Sequence, residues 1–151
     1  MKRFKFRLQR VMDAKLSEER LRQRELGEAL AYLQEQEAKL TQLEEELAEE
    51  ERQQRERIKG AMRAGDALLQ HSWYRELRTR IRQQGEELNK AAVKVEESRQ
   101  RLVEVSKDKK VLERLKEKRQ EEHRKATLTE TQAMLDDVGA RQRSVNGNQA
   151  G

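Results

Sequence analysis

The sequence predicts an all-α fold, a long antiparallel two-helix coiled-coil hairpin with its turn near residues 60–72. Aliphatic residues recur every seven positions in both halves of the chain: Leu26, Leu33, Leu40 and Leu47, then Ile81, Leu88, Val95 and Leu102. This spacing keeps side chains on one face of a supercoiled helix. Pairing the two ladders end to end gives an index sum of 128 every time, as two antiparallel segments of one chain require. The reversal then falls near residue 64.

The composition suits such a hairpin better than it suits a compact globule. Of the 151 residues, 34% are apolar and 42% are charged. A compact domain of this length needs a larger apolar fraction to build its core, whereas a two-helix coiled coil needs only about two apolar positions in seven. Disorder is the other interpretation of such polarity, but disordered chains do not keep heptads in register.

A single coiled-coil domain is predicted over residues 1–138. Helix 1 is expected over about 4–59 and helix 2 over about 73–130, joined by a turn at 60–72. Gly60 and Gly65 favour the turn, because glycine adopts the positive φ angles that end many helices. Met134 and Leu135 predict a short terminal amphipathic helix at about 131–138, and the Gly-, Asn- and Gln-rich residues 139–151 predict a disordered tail.

The hydrophobic seam is the stripe of side chains through which the two helices are expected to pack. In helix 1, Leu30 supplies a second row, but Glu37 and Glu44 occupy the next repeats of that row, so half of the seam is polar. The predicted seam residues are Met12, Leu16, Leu26, Leu30, Leu33, Leu40, Leu47, Ile81, Leu88, Val95, Leu102 and Val105.

The sequence gives no pattern typical of catalysis, of a cofactor or of a metal site. Two helices side by side form no cleft in which reacting groups converge. The glycines of residues 60–65 lack the Lys-Ser/Thr of a phosphate-binding loop, and His71 and His123 have no spacing suited to a shared metal. We therefore predict a protein that is not an enzyme and uses no cofactor.

The location and the class of partner are also constrained. The basic N-terminus is followed by no apolar run, so neither a signal peptide nor a transmembrane helix is predicted. The absence of cysteine gives no sign of an oxidising compartment, and the cytoplasm is the expected location. The net charge is +5, but basic and acidic residues are interleaved and no aromatic-basic platform is present. Nucleic-acid binding is therefore not predicted.

Two surfaces remain open to interpretation. Residues 2–24 hold nine Lys or Arg against three acidic residues, and this end is either a docking element for an acidic or ring-shaped partner or an ordinary charged, frayed end. Trp73, at the start of helix 2, either packs onto the turn or serves as an exposed apolar anchor for a partner.

Three short motifs carry a family resemblance through their order and spacing. They are the opening Phe4-Lys-Phe6-Arg-Leu8 with Val11, the Leu/Glu/Lys/Arg run of residues 111–119, and Leu135-Asp136-Asp137 followed by Arg141. Together they resemble the FliJ family of flagellar export proteins over nearly the whole chain.

The resemblance implies a component of the bacterial flagellar type III export apparatus. Family members are stalks that insert into a hexameric export ATPase (FliI) and promote its assembly and activity. They also couple the ATPase to the export gate protein FlhA, and some escort export chaperones. Peripheral association with the inner membrane at the flagellar base is implied as well. The alternatives are the equivalent stalk of a virulence-type type III secretion system and a purely structural or tethering coiled coil.

The resemblance also assigns roles to particular residues. Insertion into the ATPase ring is implied for Leu8, Val11, Leu112, Leu115 and Arg119. Docking to the export gate is implied for an aromatic residue and a leucine four positions later, which correspond here to Trp73 and Leu77.

Overall fold

The computed structural model describes residues 2–58, 60 and 63–149. It contains two α-helices, α1 (Gln9–Ile58) and α2 (Ala64–Gln149), and 94% of it is helical. No strand occurs within the described residues. The two long helices pack against each other, which confirms the predicted all-α two-helix hairpin. Both helices consist largely of Ala, Leu, Glu, Gln, Lys and Arg, the residues that lose least free energy in a helix.

Two compact units make up the chain. The turn unit is Glu19–Glu104, and the terminal unit comprises Met1–Glu18 and Val105–Gly151.

In the turn unit, contacts between the helices run antiparallel. The Tyr74 hydroxyl donates to Glu51 Oε1 at 2.9 Å, whereas farther along α2 the Lys94 ammonium lies 5.8 Å from the centroid of the Tyr32 ring. Residue numbers therefore fall along α1 as they rise along α2.

The terminal unit shows the same order of contacts. Lys15 Nζ lies 3.3 Å from Asp108 Oδ2, and Lys116 Nζ donates to Gln9 Oε1 at 2.8 Å. His123 Nε2 lies 3.1 Å from the carbonyl oxygen of Lys2.

The seam of α1 differs from the prediction in its second row. Leu26 and its heptad partners Leu33, Leu40 and Leu47 are half-buried, but the second row lies three residues after them, at Ala29, Gln36 and Leu43. Leu16 and Leu30, predicted four residues after the first row, are each 37% exposed. The physical reason is the cost of burying carboxylates, because a row through Leu30 would continue through glutamates.

The α2 side of the seam contains the most deeply buried apolar residues. Leu77, Ala91, Val95 and Val105 are buried, and Ile81, Leu88 and Leu102 are half-buried. Together with the half-buried Gln84 and Ser98, they recur at alternating intervals of four and three residues, which keeps them on one face of α2.

The turn is shorter than predicted. Helix α2 begins at Ala64, nine residues before the predicted start, and α1 ends at Ile58. The Gly60 N–H donates to the Arg57 carbonyl at 3.0 Å, and no described glycine has a positive φ. Residues 64–70 are mostly Ala, Leu and Gln, and Asp66 stabilises the positive end of the helix dipole in the first turn. Part of the predicted turn, residues 61 and 62, lies outside the described residues.

The predicted terminal helix and disordered tail are replaced by one continuous helix. Helix α2 extends to Gln149 without a break at residues 131 or 139. Gly139 costs about 1 kcal/mol in a helix, but the chain contains no proline that would end it. Side-chain pairs four residues apart also support this segment, such as Gln132 with Asp136 and Arg141 with Asp137. Residues 150 and 151 lie outside the described part of the tail.

Neither described helix is long and apolar enough to cross a membrane.

Candidate functional site

The first candidate surface lies at the start of α2, in the turn unit. Trp73 is 39% exposed, and the Arg80 guanidinium carbon lies 5.4 Å from the centroid of its ring, within cation–π range. Leu69, one helical turn before Trp73, is also exposed. A tryptophan with a neighbouring leucine on one face of a helix is a suitable anchor for a protein partner.

Leu77 occupies a different environment from Trp73. It is fully buried, so the prediction that its side chain takes part in a docking surface conflicts with its position. The reason is the approach of α1. Leu77 lies in the row that packs on α1, whereas Trp73 lies at the rim of the seam. The two residues are separated by only about 40° around the helix axis, since each residue turns the helix by about 100°.

Tyr74 helps to hold α1 against the start of α2. Its hydroxyl donates to Glu51 on α1 and accepts a 2.7 Å hydrogen bond from Arg78 Nη2. The Arg78 guanidinium carbon also lies 4.6 Å from the centroid of the Tyr74 ring. Trp73 therefore projects from a fixed turn of α2 rather than from a loop.

The second candidate surface belongs to the terminal unit and contains the residues that the family resemblance assigns to ring insertion. Leu8, Leu112 and Leu115 are half-buried, so they contribute to packing within the unit. Val11 is 46% exposed, and Arg119 is exposed. Of these five side chains, only Val11 and Arg119 are classed as exposed.

Aromatic residues fasten the N-terminal segment, residues 2–10, to α2, a role that our sequence analysis missed. Phe6 is buried, and the Phe4 ring lies 5.6 Å from the His123 ring. The Gln9 N–H donates to the Phe6 carbonyl and begins α1. The alternation of aromatic residues at positions 4 and 6 was the signal that could have revealed this packing.

The seam contains polar side chains, as the sequence predicts, but the buried Gln36 among them was missed by the sequence analysis. Gln36 is only 4% exposed. Gln84 Nε2 donates to the backbone carbonyl oxygen of Gln36 at 3.0 Å and to Gln36 Oε1 at 2.7 Å.

In the terminal unit, the hydrogen bond with Asp108 raises the pKa of Lys15 above its usual value, and the nearby Glu18 carboxylate raises it further. Lys15 therefore keeps its charge to a higher pH than an unpaired lysine does.

No metal site is present in the described part of the chain. Residues 2–58, 60 and 63–149 contain no group of three or more His, Cys, Asp or Glu side chains that could hold a metal ion.

Comparison with known proteins identifies the family. A family model described as flagellar FliJ protein matches residues 4–148. Neither the curated proteins nor the solved structures gave a match. The family is a structural export component and not an enzyme family. Because the match covers nearly the whole chain, this protein belongs to the FliJ family and is a component of the flagellar export apparatus.

Proposed function

We propose that this protein is a stalk that binds the hexameric export ATPase through its terminal unit and the export gate through Trp73. Binding would promote assembly and activity of the FliI-like ATPase and couple it to the FlhA-like gate. Escort of export chaperones and peripheral association with the inner membrane at the flagellar base belong to the same proposal. The observation that carries it is the family match over residues 4–148, combined with two packed helices.

The charge of the terminal unit supports its assignment to the ATPase. All five basic residues of the N-terminal segment are exposed: Lys2, Arg3, Lys5, Arg7 and Arg10. A cluster of one sign attracts a partner surface of the opposite sign and accelerates encounter. Val11 lies directly after this cluster and supplies an exposed apolar side chain for the contact itself.

The geometry at the start of α2 supports the assignment of Trp73 to the gate. The indole is exposed, yet its helix is fastened to α1 by the Tyr74–Glu51 hydrogen bond. An anchor that is already fixed loses little conformational entropy on binding. Leu77 supports this anchor from inside the seam.

The ATPase role is tested with the double variant Val11→Asp and Arg119→Glu. We expect it to bind the purified export ATPase about tenfold more weakly, as loss of interface anchors does, and to lose stimulation of ATP hydrolysis. The measurements are ATPase rate and hexamer formation as functions of stalk concentration.

The matched control is Val93→Asp with Arg101→Glu in the turn unit, because both residues are also exposed. This control should stimulate the ATPase as the unmodified protein does. Failure of the unmodified protein to stimulate the ATPase would contradict the proposal and favour a tethering coiled coil.

The gate role is tested with Trp73→Ala. We expect binding to the cytoplasmic domain of the gate protein to weaken about tenfold, measured by calorimetry, with the helical circular-dichroism signal unchanged. Leu77→Ala should instead lower the free energy of unfolding by about 2–5 kcal/mol, because it leaves a cavity in the seam.

Tyr32→Ala is the matched control, since Tyr32 is 40% exposed and also lies beside a cationic side chain. Equal gate affinity for Trp73→Ala and the unmodified protein would remove Trp73 from the docking surface.

A further inference from the structure

The exposed tryptophan at the start of α2 has a cation over its ring. The Arg80 guanidinium carbon lies 5.4 Å from the centroid of the Trp73 indole, within the range of a cation–π contact. The neighbouring Tyr74 is tied to α1 through Glu51, but Trp73 lies at the rim of the seam and is 39% exposed. An exposed side chain moves between rotamers on the picosecond to nanosecond timescale unless a contact restrains it. The contact with Arg80 supplies such a restraint.

The geometry of the helix brings Trp73 and Arg80 together although they are seven residues apart in the sequence. Seven residues at about 100° each complete nearly two turns, so the two side chains begin about 20° apart on one face of α2. Their Cα atoms are separated by about 10 Å along the helix axis. Side chains on a helix lean toward its N-terminus, and the long arginine side chain therefore reaches back to the indole.

Glu76 holds the arginine in this position. Arg80 Nε donates to Glu76 Oε1 at 3.1 Å. The pair has the i,i+4 spacing with the acidic residue first, which is the favourable order on a helix. Glu76 follows Trp73 by three residues, so it also lies within about 60° of the same face. The three side chains therefore form a series of contacts that runs from Glu76 through Arg80 to Trp73.

We propose that Arg80 is a positioning residue, which fixes the Trp73 indole in the orientation that a partner binds. The guanidinium lies over one face of the ring and leaves the remaining exposed surface of the indole to the partner. A restrained anchor has fewer rotamers to lose on binding, so the restraint raises affinity without adding a contact to the partner. The effect on affinity rests on the proposed gate contact, whereas the orientation of the indole does not.

The orientation is tested in the full chain without a partner. Trp73 is the only tryptophan, so its fluorescence reports on this site alone. The variant Arg80→Met keeps an unbranched apolar stem but removes the cation. The fast decay of time-resolved fluorescence anisotropy measures free rotation of the indole. We expect its amplitude to rise about two- to fivefold in Arg80→Met, the change in population that a surface cation–π contact supports. Arg80→Lys, which keeps a cation, should restore part of the restraint.

Two further variants separate this effect from a general loss of structure. Glu76→Gln removes the charge that holds Arg80 and should raise the fast-decay amplitude less than Arg80→Met does. The double variant should match Arg80→Met alone, because both changes act through the same guanidinium. The matched control is Arg82→Met, since Arg82 is also exposed but lies about 180° around α2 from Trp73. It should leave the anisotropy decay unchanged, and the helical circular-dichroism signal should be the same in every variant.

The consequence for binding is measured by a double-mutant cycle at Trp73 and Arg80. Arg80→Met should weaken binding to the cytoplasmic domain of the gate protein about two- to tenfold, the range expected when one more side chain must be immobilised on binding. In the Trp73→Ala background the same change should have no further effect, because no indole remains to be oriented.

The two measurements can fail separately. Equal anisotropy decays for Arg80→Met, Arg82→Met and the unmodified protein would overturn the proposal. Equal weakening of gate binding by Arg80→Met with and without the Trp73 indole would overturn it too, since Arg80 would then contact the partner directly. A gate protein that does not bind the unmodified chain would contradict the proposed function, and the anisotropy of the free chain would still decide whether Arg80 orients the indole.

Discussion

At the scale of single residues, the buried glutamine pair specifies how the two helices fit together in the turn unit. Gln36 is almost fully buried, and Gln84 donates to both its backbone and its side-chain oxygen. A hydrogen-bonded amide within a coiled coil contributes less stability than a leucine pair would, but it favours one register and one orientation. The pair therefore selects the alignment of α1 and α2.

The first residue-scale prediction concerns this pair. Gln84→Leu alone should lower the free energy of unfolding by about 1–3 kcal/mol, because it removes the hydrogen-bond donor to the buried Gln36 amide. The double variant Gln36→Leu with Gln84→Leu should recover the loss, since no polar group then remains without its partner in that layer. Urea unfolding of both single variants and the double variant gives the coupling energy.

The control for these variants is Gln42→Leu, because Gln42 is exposed. Its replacement should change the free energy of unfolding by less than about 0.5 kcal/mol. A double variant that is no more stable than Gln84→Leu alone would show that the amide pair does not act as a unit.

The burial of a side chain could be predicted from the sequence only where the seven-residue spacing alone decides it. The seven-residue ladders placed Leu33 and Leu88 on helix faces that are half-buried in the structure. Trp73 and Leu77 could not be separated in this way, because residues four apart lie on nearly the same face of a helix. Their difference in exposure depends on how closely α1 approaches, which is a tertiary property.

At the scale of helices, the sequence was enough to predict that two long helices form. It was not enough to predict where each helix begins and ends, or which residues form the second row of the seam in α1. Glycines at 60, 65 and 139 suggested breaks, yet α2 includes both Gly65 and Gly139. A glycine ends a helix only when the chain gains something by turning there, and its cost of about 1 kcal/mol is otherwise absorbed by neighbouring helix formers. The row through Leu30 begins with a leucine, but the glutamates that follow it favour the other row.

The prediction at this scale is that Gly27→Ala stabilises the protein. Gly27 lies within α1, and a Cβ added there would meet no atom within 4 Å. The free energy of unfolding should rise by about 1 kcal/mol, because alanine has less conformational entropy to lose in a helix. Urea unfolding monitored by circular dichroism measures the change.

Gly60→Ala serves as the comparison, because Gly60 lies outside the helices and gains no such helix propensity. A rise in stability for Gly60→Ala equal to that for Gly27→Ala would contradict the explanation.

At the scale of the whole molecule, the fold and the family were both accessible from the sequence. The low apolar fraction excluded a globular core, and the order of three short motifs indicated the FliJ family that the match over residues 4–148 established. The partner surfaces could not be read in the same way, since exposed charges are common to all coiled coils. If the ATPase and the gate are coupled through this chain, each must alter the affinity of the other by the same factor.

The burial of Leu77 has a kinetic consequence for the proposed binding of a partner at Trp73. The Trp73 indole is exposed while Leu77 stays buried between the helices. A partner can therefore bind Trp73 without first separating α1 from α2. The association rate constant is then limited by collision and orientation rather than by a slow conformational rearrangement. A partner that binds in this way can associate and dissociate many times while α1 and α2 stay packed together.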